Sequence, residues 1–180
     1  ILKNNINNLM KGGEMDLQTL LKMVPLPDFN NFKRVLFVGP HPDDIEIGTG
    51  SAVKKLFDQG TEIHFLITTD GASGTKDPKV SVDQLKKIRK AEAVEAGAFL
   101  GAKSVTVLDY PDGGIYDLED LISSIVGKII EVNPDTVFGP DPLLPSETHP
   151  DHLKTAEAVR RAIPLSQYPH SVSRRGLELP

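Results

Sequence analysis

A chain of 180 residues with 39% hydrophobic content is long enough to bury one real core, so one domain is the expectation. Twenty basic against 25 acidic residues, a net charge of −5 and no basic run leave no electrostatic footprint for nucleic acid or an anionic membrane surface. With no cysteine, disulfide stapling and thiolate metal sites are excluded, and any metal must be held by His and carboxylate.

Residues 1–14 are polar, Asn-rich and without period, which predicts a flexible tail ahead of a single domain over 15–180. Lys11-Gly12-Gly13-Glu14 is what a purine-rich ribosome-binding site would encode if translated, so Met15 is the expected start. No stretch is apolar enough to span a bilayer, and the amino terminus has no charged-then-apolar secretory pattern, so a cytoplasmic location is expected. Asp16 to Met23 fits a short amphipathic helix, ended by Val24-Pro25-Leu26-Pro27.

The run Arg34 to Val38 is short, β-branched and aromatic, and Gly39-Pro40 closes it, which reads as a buried parallel strand. Immediately after it come His41-Pro42-Asp43-Asp44-Ile45-Glu46, a dense cluster of titratable groups at a strand's carboxyl end, the edge where open α/β sheets bind ligands. Glu46 to Gln59 then carries apolar residues at helical spacing up to Gly60. Thr61 to Thr69 is a second strand, followed by a Gly/Ser/Thr/Pro-rich loop from Asp70 to Pro78 that is long enough to cover a site.

Val82 to Leu100 is the clearest helix, closed by Gly101, and Ser104 to Leu108 is a third strand. After the turn cluster around Asp112-Gly113-Gly114 comes a helix over Leu118 to Val132, then a fourth strand over Pro134 to Phe138. A proline-rich loop delivers His149, and Pro150 begins a helix running to about Ala162. Residues 164–180 show no strong period. This alternation predicts an α/β, Rossmann-like fold of three layers with a mainly parallel sheet.

His149-Pro150-Asp151-His152 repeats the His-Pro-Asp of the first motif, again after a strand, where composition alone leads one to expect far fewer than one copy. His41, Asp44 and His152 together supply two imidazoles and one carboxylate, a set that with open positions suits Zn²⁺ and equally Fe²⁺ or another divalent ion. Neighbouring turn residues do not easily face one ion, which leaves Asp43 beside it as a free carboxylate suited to general-base work on water. His149 is surplus to the ligand count and suits protonation of a leaving group or stabilisation of an oxyanion. The plain alternative is that Asp43 or Asp44 only caps the following helix. His64, inside a strand, and His170, in the aperiodic tail, are read as structural.

The stretch from Pro40 to Glu46, with His149 to His152, resembles the LmbE-like, or PIG-L, N-acetylglucosaminyl deacetylases. The resemblance extends over roughly residues 33–161 and takes in Thr68-Thr69-Asp70-Gly71, Arg89 with Glu92, and Pro111-Asp112-Gly113. It implies the LmbE-like fold, with Zn²⁺ on His41, Asp44 and His152, Asp43 as base, and His149 assisting the transition state or acting as acid. It also implies that Glu46, Arg89 and Asp112 support the site or touch the sugar. By spacing alone Arg89 and Glu92 are an i,i+3 surface pair, and Asp151 either orients His149 or sits near the positive end of its helix.

The resemblance implies hydrolysis of the N-acetyl group of a glucosamine-containing small molecule, with release of acetate. One departure is that members of the family continue well beyond the second motif, whereas 28 residues follow His152 here (180 − 152). The carboxyl-terminal part therefore reads as shortened, and an incomplete sheet edge favours a homo-oligomer. Two rival expectations stand: a catalytically impaired member that binds metal or sugar without turnover, and a Rossmann-type nucleotide binder. The second lacks a Gly-x-Gly-x-x-Gly after the first strand, and its acidic loop would repel a pyrophosphate.

Overall fold

The computed structural model describes residues 17–23 and 27–180. The predicted tail over 1–14 and the start at Met15 lie outside the described residues. The chain divides into two compact units, Ile1–Asn31 and Phe32–Pro180. The first contains helix α1 (Leu17–Met23) and a 3₁₀ turn (Phe29–Asn31), in which the Asp28 carboxylate accepts from the backbone N–H of Asn30 at 3.0 Å.

The second unit runs β1 (Arg34–Gly39), α2 (Asp44–Asp58), β2 (Glu62–Thr69), α3 (Val82–Phe99), β3 (Ser104–Tyr110), α4 (Leu118–Val132), β4 (Thr136–Phe138), α5 (Pro150–Leu165) and α6 (Pro169–Ser173). The four strands form one parallel sheet in the order β3-β2-β1-β4. β1 and β2 read as unbroken apolar runs because both their faces are covered, and Val35 to Val38 are all buried. Their alternating residues feed two layers. Leu36, Val38 and Leu66 pack with Leu121, Ile122 and Ile125 of α4 and Ala158, Val159 and Ala162 of α5. Phe65 lies on the opposite face against α3, where a Cβ at Gly97 would meet Val105 Cγ2 at 2.4 Å. Only glycine lets that helix approach so closely.

Several boundaries differ from expectation for local reasons. α2 begins at Asp44 rather than Glu46, because the backbone N–H of Ile47 already bonds to the Asp43 carbonyl. β4 is three residues long rather than five, since the Asp135 carboxylate turns away to accept from the backbone N–H groups of Lys33 at 2.7 Å and Arg34 at 3.2 Å. α5 runs past Ala162 to Leu165 with Pro164 inside it, and Ser166 N–H still reaches the Ala162 carbonyl at 2.9 Å. α6 was not expected; it begins at a proline and docks through Val172, one buried residue that creates no period.

The consequence for function is positional. The carboxyl ends of β1 and β2 deliver His41 to Asp44 and Asp70-Gly71, the end of β3 delivers Asp112, and the loop after β4 delivers Glu147 to His152. All open on one edge of the sheet, and β1 and β4 flank the point where strand order reverses. No described helix is long and apolar enough to cross a membrane.

Candidate active site

The turn after β1 is held in an unusual backbone conformation. Asp43 stands at the N-cap position of α2 with φ 142° and ψ −24°, a region L-residues rarely adopt, yet its side chain makes no capping hydrogen bond. The capping alternative therefore fails for Asp43. Two neighbours fix the turn instead. Gly71, itself at φ +65°, is so close that a Cβ there would lie 2.9 Å from Pro42 Cδ. Arg89, from α3, donates through one nitrogen to the Pro42 carbonyl and, at 2.8 Å, to Asp43 Oδ2. Its other terminal nitrogen reaches Glu92 Oε2 at 2.9 Å, so the expected i,i+3 pair exists, but it is the outer end of a connection into the site.

Asp44 is the point of convergence for the predicted metal ligands. Its Oδ2 accepts from the His41 backbone N–H at 2.9 Å, lies 3.1 Å from His41 Nδ1 and 3.4 Å from His152 Nε2. The other nitrogen of each ring is anchored. His152 Nδ1 is 2.8 Å from Glu147 Oε2, and His41 Nε2 is 3.0 Å from Asp151 Oδ2 and 3.3 Å from Asp112 Oδ1. A carboxylate on one ring nitrogen holds a proton there, so the other nitrogen, the one facing Asp44, is the one that would give up its proton and offer its lone pair to a cation.

His149 joins the same cluster. Its ring centroid is 4.7 Å from that of His41 and 5.0 Å from that of His152. Ligand atoms of His41, His149 and His152 fall within 4.8 Å of one another, as do those of His41, Asp112, His149 and Asp151. His149 caps α5, its Nδ1 accepting from the Asp151 backbone N–H at 3.3 Å, so its ring proton resides on Nε2. The donor set of imidazole and carboxylate, with anchored tautomers, fits a divalent cation such as Zn²⁺.

Asp151 sits in the first turn of α5, the second of the two expectations for it. It is fully buried, and its carboxylate is spent on His41, on the Gly113 N–H at 2.8 Å and on the Tyr116 hydroxyl at 2.9 Å. His149 Nδ1 is 3.9 Å from the same oxygen. Asp151 thus orients His41 rather than His149, because three better-placed donors saturate it. Asp112 is likewise divided, its Oδ2 accepting from the Ser73 N–H at 3.0 Å while Oδ1 faces His41. Among the described residues, the two buried carboxylate oxygens of Glu46 and the buried Nε of Arg89 have no hydrogen-bond partner.

The electrostatics follow from this packing. Burial alone would depress the His41 imidazole, but hydrogen bonds to Asp44 and Asp151 and the charges of Asp44 and Asp112 raise its pKa to about 9. Asp44 is lowered: burial opposes, and the hydrogen bonds from the His41 ring and backbone prevail. Glu46 is raised, first by burial and then by the charges of Asp43 and Asp44. Glu147 is lowered, first by the His149 backbone N–H and then, against burial, by the His152 ring.

Two contributors escaped the sequence reading. Glu147 sits in an aperiodic proline-rich loop, and nothing in its neighbourhood marks it as the partner of His152. Tyr116 lies in a turn 35 residues before the aspartate it binds. The predicted residues themselves all come to one edge. A polar cleft is lined by His41, Asp43, Ser73, Arg89, Asp112 and His149, and a second, apolar cavity opens on the other side of Asp44 and His152.

Most of the chain is similar to known proteins. The family described as PIG-L: GlcNAc-PI de-N-acetylase matches residues 36–163. The diacetylchitobiose deacetylase of Thermococcus kodakarensis is 41% identical over 124 residues, 69% of this chain and 46% of its own length. The 1D-myo-inositol 2-acetamido-2-deoxy-alpha-D-glucopyranoside deacetylase of Kineococcus radiotolerans is 28% identical over 165 residues, 74% of this chain and 45% of its own. Among solved structures, the N,N'-diacetylchitobiose deacetylase from Pyrococcus horikoshii superposes with a TM-score of 0.77 at 34% identity, covering 97% of this chain and 63% of the other. The chain spans about half the length of these curated relatives.

Proposed function

The chain belongs to the PIG-L family, and on that premise we propose that it is a metal-dependent amide hydrolase that removes the N-acetyl group from an N-acetylglucosamine-containing small molecule and releases acetate. The observation that carries this reading is the approach of His41 Nδ1 and His152 Nε2 to one oxygen of Asp44, beside an Asp43 carboxylate that caps nothing. His41, Asp44 and His152 would hold the ion, Zn²⁺ or another divalent cation such as Fe²⁺. When bound, such an ion supplies a Lewis acid that polarises a carbonyl and acidifies water.

The remaining chemistry belongs to the protein's own side chains. Asp43 takes the proton from the attacking water as general base, and Arg89 fixes where that carboxylate points. His149, with its proton on Nε2, donates to the oxyanion or to the departing amine. Asp151 and Glu147 keep His41 and His152 in their tautomers. Arg89 and Asp112 line the cleft that would receive the sugar.

The test pairs metal content with acetate release from a panel of N-acetylglucosaminyl compounds. About one divalent ion per chain together with acetate release is the expected result. Metal and sugar binding without acetate would assign the chain to the binding-only alternative, and failure to take up metal after reconstitution would remove the site.

A further inference from the structure

The cavity on the far side of Asp44 and His152 has the wrong chemistry for a sugar. Its volume is about 260 Å³ and its walls come from Phe37, Ile45, Ile47, Gly48, Phe138 and Pro140. Phe37 and Phe138 stack at 4.8 Å between centroids and 9° between planes, giving it a flat aromatic floor. Asp44 and His152 form part of the same wall, so the cavity is continuous with the centre at which the amide must sit.

Two clefts of opposite character therefore meet at one reaction centre. A sugar placed among Phe37, Ile47 and Phe138 would leave its hydroxyls without partners, which costs free energy for each one. In the cleft of Asp43, Ser73, Arg89 and Asp112 the same hydroxyls find donors and acceptors. An amide has two substituents, and this division sorts them: the amine side toward the polar cleft, the acyl side toward the apolar one. An apolar cavity of about 150 Å³ already admits benzene, so this one has room for an acyl tail of roughly four to eight carbons.

We propose that the cavity bounded by Phe37, Ile47, Gly48 and Phe138 is an acyl-chain subsite, and that the chain hydrolyses medium-chain N-acyl glucosamine compounds in preference to the N-acetyl ones. This rests on the deacylation reading above. Atoms balance as in any amide hydrolysis: water adds to the acyl carbon, the carbon–nitrogen bond breaks, the nitrogen leaves as the protonated amine, and the acyl group departs as a carboxylate.

The test is a series of N-acetyl, N-butyryl, N-hexanoyl and N-octanoyl glucosamines. We would measure kcat/KM with the metal-loaded protein, and Kd by calorimetry with the metal-free protein. The expected result is a rise of about tenfold in kcat/KM and in affinity from acetyl to hexanoyl, a fraction of what each methylene gains in a closed apolar pocket. Gly48→Leu should abolish that rise. Gly48 lines the cavity, nothing lies within 4 Å of a Cβ built on it, and leucine favours a helix over glycine, so this variant adds bulk at the cavity wall without loading the fold. Ile47→Gln, at a position 81% exposed, changes the rim by a second route.

A flat or falling series, or a preference that survives both substitutions, overturns the proposal. So does an effect of chain length that appears with alkyl glycosides instead, which would assign the cavity to the aglycone. Hydrolysis of the acetyl compound alone overturns the proposal and leaves the deacetylase reading standing. Affinity that rises with chain length and is lost in Gly48→Leu, without turnover of any member, supports the subsite and overturns the reading on which it was built.

Discussion

Arg89 and Asp43, 46 residues apart in sequence, share a 2.8 Å hydrogen bond whose donor nitrogen also holds the Pro42 carbonyl. The side chain that clamps the strained turn is thus the one that aims the carboxylate. Removing it should cost reaction rate rather than metal. Arg89→Ala is expected to lower kcat by about 10²-fold or more, the usual contribution of a positioned base, with metal content unchanged. Arg89→Lys should rescue little, because an ammonium cannot reproduce a planar guanidinium anchored at three acceptors. Loss of metal from Arg89→Ala would show that the clamp holds the ligands rather than the base.

Glu147 is expected to matter to metal affinity although it touches no ion. Its Oε2 holds His152 Nδ1, while its Oε1 accepts from the backbone N–H groups of Thr148 and His149 at 2.8 and 2.7 Å. Glu147→Ala should weaken metal binding about 10- to 100-fold, the usual cost of losing such a partner. Glu147→Gln keeps an acceptor for the loop and should lose less. A titration in which both variants bind as the parent does would refute the role.

The pH dependence of metal uptake follows from His41. Its folded-state pKa of about 9 lies above the ordinary 6.5, so in the metal-free protein the protonated ring stabilises the fold fully below about 6.5. That contribution is lost as pH rises from 6.5 to 9. A cation on Nδ1 must displace the proton, so uptake near neutral pH should release about one proton per ion, and apparent affinity should climb by up to about tenfold per pH unit until about 9. The buffer dependence of the binding heat measures this directly. Uptake at pH 7 without proton release would contradict it.

A separate titration lies at the opposite edge of the sheet. Glu62 is pulled down to about 2 by Lys103, then His64 and Arg34, which surround its carboxylate. Its depressed pKa means that the stability it contributes is present above 4.5 and is lost as pH falls from 4.5 toward 2. The melting temperatures of Glu62→Gln and the parent should therefore differ above pH 4.5 and converge as pH approaches 2. A constant gap across that range would show that the charge is not responsible.

How far the sequence revealed this protein depended on the distance over which each feature is encoded. α4 was readable because Leu121, Ile122 and Ile125 recur on one face, and the helix begins and ends where that pattern does. The two His-Pro-Asp motifs were readable because each sets its groups within four residues. The tie of Asp151 to His41 was not readable because its partners, His41, Gly113 and Tyr116, lie 110, 38 and 35 residues away, and only the closed sheet brings them together. Glu147 and α6 were missed because neither carries a period. Glu147 reaches His152 five positions on from within an irregular loop, and α6 docks through a single buried valine.

The positive φ of Asp43 sets this position against itself. Glycine would sit in that turn without strain, whereas an aspartate there costs on the order of 1–3 kcal/mol. A screen of random variants for heat resistance alone should therefore enrich Asp43→Gly, and a screen for turnover should purge it. Lineages of this chain selected under the two regimes should part at this residue before any other in the turn.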